Sequence, residues 1–425
     1  MRKAALSVMT LSMLGLAGCS FESFSADDDR TQIEIMSGKV EINDQFEALA
    51  DKYEEENPDV DIRIISVGGG SDYIGTLKSR FASGDAPDVF SAFGPVELEQ
   101  FDAYLTDLSD MESAETALDG TLEDVTYGDN IYGLPFNLEG YGLIYNKEIF
   151  EQAGVDAESI QSYEDLEAAV QTIDSQKEEL GIEAAFAYPG REAWVTGGHL
   201  ANAFLAPEFN ESSKEAWESD TVEFERGDEF KRMFDLQTDY SIKPVLSINY
   251  SQQVEQYFAQ GDVAMIQQGN WVYPSLAQSD EEFANEGIDM MPIPVEGREG
   301  DMPVGVPNYW AVNNDNDDET IQEAKDFLDW MNNSETGKET VLNEFNFVPA
   351  YEGYDTSEIS DPLSQKVNEH FEEDNVINWV TSGYPSAFDS YLGSQAQRYL
   401  SEDYTWEEVL QAARDEWERK KESQR

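Results

Sequence analysis

Cys19 is the only cysteine in 425 residues. No disulfide can form within the chain, so whatever folds beyond that position is held by packed cores alone. Cys19 follows a basic start, Met1-Arg2-Lys3, and an apolar run from Ala4 to Ala17. That run has the length of an export signal and falls short of the about 20 apolar residues that cross a bilayer. Residues 1–18 are read as a cleaved signal peptide and the polar, acidic residues 19–30 as a tether. Roughly 400 residues remain, too many for one hydrophobic core and enough for two lobes.

Charge restricts the partners. The chain carries 89 acidic against 26 basic residues, a formal net charge of −63. Nucleic acid and anionic membrane surfaces are bound through clustered Lys and Arg, so both are disfavoured. The one basic run, Arg419-Lys420-Lys421, reads as a cationic helix C-terminus. The acids are scattered over predicted helix faces and loops such as Asp315-Asn316-Asp317-Asp318-Glu319. That loop lacks the glycine and the spacing of a calcium-binding loop, so no metal is expected. Self-repulsion of this size is screened within about 3 Å at molar salt, which suits a saline exterior.

Periodicity outlines the fold. Gln32 to Met36 alternates as a strand, and Ile42, Phe46, Leu49, Ala50 and Tyr53 recur at helical spacing until Asn57-Pro58. Asp61 to Ile65 is a second strand, Tyr73, Leu77 and Phe81 mark a helix ended by Gly84, and Asp88 to Ser91 is a third strand. Strands alternating with helices predict βαβ units and a parallel sheet, an α/β fold. Tyr132 to Tyr145 and Gly305 to Asn313 are strand-like stretches that read as crossings between lobes. Helices are predicted over Ile149 to Ala153, Tyr163 to Leu180, Glu192 to Leu205, Phe224 to Thr238, Glu319 to Asn332 and Ser334 to Asn343, with a break at Phe347-Val348-Pro349. The strand Val263 to Ile266 and a helical tail from Phe388 to Lys421 complete the pattern.

Catalysis finds little to work with. His199 and His370 are the only histidines, and neither sits near a nucleophile elbow. Gly68-Gly69-Gly70-Ser71 has no following Lys-Ser/Thr and reads as a flexible connection, not a phosphate loop. A carboxylate pair for glycoside hydrolysis could be drawn from 89 acids, but nothing singles one out. No cofactor is expected.

Four blocks, in order, carry a resemblance. They are Phe81-Ala82-Ser83-Gly84-Asp85-Ala86-Pro87-Asp88-Val89; Tyr132-Gly133-Leu134-Pro135-Phe136 running into Gly142-Leu143-Ile144-Tyr145-Asn146-Lys147-Glu148; Phe258-Ala259-Gln260-Gly261-Asp262-Val263 with Gly269-Asn270-Trp271; and Gly305 with Trp310-Ala311-Val312-Asn313. Together they resemble the extracellular solute-binding proteins of carbohydrate ABC transporters, the maltose-binding-protein-like group. Leu16-Ala17-Gly18-Cys19 resembles the lipobox of bacterial lipoproteins, which implies acylation of Cys19 and tethering to the outer face of the cell membrane, or its periplasmic side in a two-membrane cell.

The resemblance implies a two-lobed type II periplasmic-binding fold with the ligand cleft between lobes joined by crossing strands. One lobe would comprise residues 31–136 with 306–345, the other 137–305 with 346–425. It implies a monomer that closes around an oligosaccharide and docks on permease subunits, with no catalytic role. Sugars pack their C–H faces on aromatic rings while their hydroxyls need polar partners. By the resemblance, the Gly269-Asn270-Trp271 turn makes Trp271 the leading candidate for stacking on a sugar ring, with Asn270 beside it. Glu139, Trp194, Asn308, Tyr309, Phe93, Glu97, Lys39 and Tyr384 complete the expected site. The ligand loops match the maltose-type pattern loosely, and Phe93-Gly94-Pro95 has no acid until Glu97, which leaves the particular sugar open. A binder of cationic ligands such as polyamines is the alternative, with Glu139 and Glu97 clamping ammonium groups. A secreted carbohydrate-active hydrolase is a third reading, against which the blocks speak.

Overall fold

The structure, a computed structural model, describes residues 30–67 and 73–424. The expected signal peptide and Cys19, and the Gly68-Gly69-Gly70-Ser71 connection, lie outside the described residues. Arg30, counted above with the tether, is docked on the body. Its guanidinium meets Glu54 at 3.2 Å and Asp61 at 2.6 Å.

Two sheets organise the chain. The first runs Val60–Ser66, Thr31–Ser37, Val89–Ala92, Tyr309–Val312, Leu134–Pro135, with the first three strands parallel and Tyr309–Val312 antiparallel to its neighbours. The second runs Val376–Asn378, Met302–Gly305, Glu139–Asn146, Val263–Gly269, Ala184–Phe186, with Ile288–Met291 also paired to Glu139–Asn146. Apolar residues on the strand faces and on one stripe of each helix generate the cores. Trp310 is fully buried against Phe46 and Phe136 in the first. Trp406, Val409, Leu410, Ala413 and Trp417 form one buried stripe in the second.

Among the described residues the chain changes core three times. Phe136 packs in the first core and Leu138 in the second; Val304 lies in the second and Tyr309 in the first; Phe347 lies in the first and Val348 in the second. Two of these passages fall on the strand-like stretches Tyr132 to Tyr145 and Gly305 to Asn313, and the third on the break at Phe347-Val348-Pro349. Leu138 and Val348 bridge in antiparallel fashion, so two of the crossings are stitched to each other.

Local chemistry explains several of the blocks. Asn146 ends a strand and caps the helix Lys147–Ala153 by accepting from Ile149 N, and Gly154 at φ 70° closes it. The Tyr145-Asn146-Lys147-Glu148 block is thus a strand-to-helix joint. Asp317 accepts from the backbone N–H groups of Glu319 and Thr320, so the acidic run at 315–319 is a helix cap. The tail read as one helix is two, Phe388–Leu400 and Trp406–Gln424. Thr405 and Glu408 form a reciprocal capping box that restarts the helix after a turn.

Candidate functional site

The crossings bring two opposite charges together. Lys39 follows Thr31–Ser37 of the first sheet, and Glu139 opens Glu139–Asn146 of the second. Their side chains form a buried ion pair, with Asn137 Nδ2 3.5 Å from the same carboxylate oxygen and the Phe347 ring 5.7 Å from the ammonium. Each charge is compensated, as burial requires. The pair links an element of the first sheet to one of the second.

Beside it stands an aromatic wall built on glycines. A Cβ on Gly269 would fall 2.2 Å from the Trp271 ring, and one on Gly305 would fall 2.6 Å from Trp379. Each indole therefore lies against bare backbone, a close approach only glycine permits. Trp271 is pinned further by donation from Nε1 to Gln268 Oε1 at 3.0 Å, and buried Gln268 is itself held by Gln253 at 2.8 Å. His199 sits between the two indoles, 5.0 Å from Trp271 and 5.8 Å from Trp379, stacked on Tyr141 at 4.4 Å. Burial pushes the His199 imidazole down to about 3, so it is neutral at any ordinary pH. Trp194 joins edge-on at 5.0 Å from His199, its Nε1 donating to Glu192 at 3.3 Å. His199 lies on the wide π-helical turn Val195–Leu200, and Gly197 and Gly393 let that turn press against the helix Phe388–Leu400.

Two cavities border this wall. Trp271, Glu139 and Asn270 line one, with Asn137, Phe347 and Asp361. Asn270 is committed to the protein, accepting from Gly140 N at 3.2 Å and donating to Ser364 Oγ at 3.0 Å. Phe93, Glu97 and Tyr384 line the other, of about 250 Å³, with Trp379, Ser382 and Asp389. Here Phe93 follows the strand Val89–Ala92 and Glu97 lies on the helix Pro95–Gln100, while Trp379, Ser382, Tyr384 and Asp389 come from the segment after the strand Val376–Asn378. Burial raises the Glu97 carboxyl to about 7 and also raises Asp389. Lys39 reaches the first cavity through Glu139. Asn308 and Tyr309 line neither cavity. Asn308 is buried with Oδ1 unpartnered, and Tyr309 is 3 % exposed in the core with its hydroxyl on Asp124. An open, cleft-facing position for Asn308 and Tyr309 is therefore corrected: the crossing turns their side chains inward.

Sequence reasoning missed Trp379, Asp389, His199 and Tyr141. Trp379 and Asp389 follow a stretch left unassigned after Asn343. Its helix, Pro362–Glu372, was readable from the Asp361 cap, the proline in the first turn, and Leu363, Val367 and Phe371 four apart.

What the geometry defines is a two-sheet binding protein with an aromatic cleft between its halves. A bacterial extracellular solute-binding protein model matches residues 39–338, and the chain belongs to that family. The xylose/arabinose-binding protein XacG of Haloferax volcanii is 26 % identical over 353 residues, 80 % of this chain and 74 % of that protein. The melibiose/raffinose/stachyose-binding protein MelE of Bacillus subtilis is 24 % identical over 334 residues, 76 % of this chain and 75 % of that protein. Among solved structures, RafE in complex with raffinose superposes with a TM-score of 0.74 at 20 % identity, covering 91 % of this chain and 99 % of RafE. A chitin oligosaccharide binding protein reaches 0.76 at 21 % identity, covering 92 % and 99 %. The fold is the two-lobed type II periplasmic-binding fold, and the chain is a binding protein, not an enzyme.

Proposed function

We propose that this chain is the capture subunit of an ABC importer, a lipoprotein that binds an oligosaccharide between two lobes and presents the closed form to a permease. The observation that carries this reading is the pair of indoles, Trp271 and Trp379, each laid on a glycine beside a cavity between the two sheets. Rigid, flat, half-buried rings are what the C–H faces of sugars pack on, and pre-organisation lowers the cost of binding. The sugar-binding names of MelE and XacG support the same class. The lobes are residues 31–136 with 306–347 and residues 137–305 with 348–425, the last boundary falling between Phe347 of the first core and Val348 of the second. They close by hinge motion at the crossings. Cys19 carries the lipid, the protein acts as a monomer outside the membrane, and the acidic surface serves a saline medium.

A thermal-shift screen in molar NaCl tests the reading with glucose, galactose, xylose, arabinose, maltotriose, raffinose and spermidine. At least one neutral sugar should raise the melting temperature. A response to spermidine with none to any sugar would transfer the site to cationic ligands.

A further inference from the structure

The cavity between Phe93 and Trp379 has one sign of charge. Glu97 enters it from the first sheet's side and Asp389 from the first turn of Phe388–Leu400. Among the described residues no lysine, arginine or histidine lines it. The remaining lining side chains are apolar or hydroxyl-bearing, including Thr381, Ser382 and Ser386. Lys39, the cation at the crossings, is ion-paired with Glu139. Burial raises both cavity carboxyls, Glu97 to about 7, while Lys78 and Lys420 offset that shift only in part. Tyr384 and Trp379 line the same cavity, and the Tyr384 hydroxyl and the Trp379 indole N–H have no hydrogen-bond partner. A ligand hydroxyl supplies a donor for the carboxylates.

We infer that Glu97 and Asp389 set the charge specificity of the cleft, admitting uncharged sugars and rejecting those that carry a carboxylate, such as uronates. The inference rests on the sugar-binding reading and extends it to a substrate class. A sugar carboxylate here meets two like charges in a low-dielectric cavity with no cation to receive it. Such juxtaposition is a strong device for turning away the wrong partner. A neutral ring meets the same two groups as hydrogen-bond acceptors.

Calorimetry at pH 8, above the value of about 7 to which burial raises the Glu97 carboxyl, tests it in the salt that keeps the chain folded. The neutral probes are glucose, galactose, maltotriose and raffinose, and the anionic probes are glucuronate, galacturonate and trigalacturonate. The expected result is binding of a neutral probe at least about tenfold tighter than any uronate. In a folded Glu97→Gln, Asp389→Asn double variant that ratio should shrink by about tenfold. The single variants, each shrinking it in part, serve if the double variant does not fold. Uronates bound as tightly as neutral sugars by the wild type, or an unchanged ratio in the folded variants, would overturn the inference while leaving sugar binding intact. Binding of no sugar of either kind would overturn both.

Discussion

Ser382 Oγ donates to Asp124 Oδ2 across the cleft at 2.8 Å. Asp124 sits on a turn whose next residue, Val125, packs in the first sheet's core, and Ser382 follows Val380 of the second. Ser213 reaches the other oxygen of the same carboxylate, and Tyr127 meets Trp217 edge-on at 6.3 Å nearby. Gly94, at φ 141°, makes room: a Cβ there would lie 2.6 Å from Ser382 Cβ. These contacts hold the two halves together at the rim of the Phe93–Trp379 cavity.

Asp124→Ala should loosen that closure without touching the aromatic wall. Losing the hydrogen bonds to this buried carboxyl costs about 1–3 kcal/mol, shared between closure and folding. Sugar affinity should fall by about three- to thirtyfold, and small-angle scattering of the free protein should show a larger radius of gyration. An unchanged radius and affinity would mean the contact does not govern closure.

Trp271→Ala should weaken sugar binding by about 1–3 kcal/mol, the scale of an aromatic contact at a binding centre. Gly269→Ala attacks the same ring from beneath, since its methyl would strike the ring and also the Gly140 carbonyl oxygen at 2.5 Å. It should lower both affinity and melting temperature, whereas Trp271→Ala should chiefly lower affinity. Titration calorimetry and thermal melts separate the two.

Glu97 should leave a signature in the pH dependence of stability. Its folded carboxyl lies near 7 because burial disfavours the charge, against an ordinary value near 4.5. The folded state therefore holds the proton more tightly than the unfolded state. This contribution is fully present below about 4.5 and is lost as pH rises through about 7. Glu97→Gln removes that dependence. The variant should gain about 1–2 kcal/mol relative to wild type between pH 4.5 and pH 8, and denaturant melts at several pH values would read it.

The charge of −63 should make stability depend on salt. Screening shortens from about 10 Å at 0.1 M to about 3 Å at 1 M, so repulsion fades over that range. The melting temperature should rise by several degrees between those concentrations. A flat response would mean the charges are already compensated locally.

Much of the architecture was legible in the sequence. Alternation exposed the strands of the first sheet, and Asn57-Pro58 and Gly84 marked helix ends, because caps and turns are local chemistry. The glycines of Gly269-Asn270-Trp271 and Gly305 were visible, but the load each carries was not. That Gly305 makes room for Trp379, some 70 residues later in the chain, follows from tertiary contact and leaves no periodic trace. The same holds for Asp389 opposite Glu97, and for the pairing that turns Lys39 and Glu139 toward each other. The buried side chains of Asn308 and Tyr309 show the limit from the other side. The strand Tyr309–Val312 is buried on both faces, so alternation carries no signal of which side meets the cleft.

The most direct test of sugar capture in this cleft is a crystal structure grown with the sugar that gives the largest thermal shift. The account predicts ring density within about 4 Å of the Trp271 or Trp379 indole, van der Waals contact, with hydroxyls near Glu97 and Asp389. Sugar density confined to another surface, with the space between Phe93 and Trp379 filled by water, would contradict it.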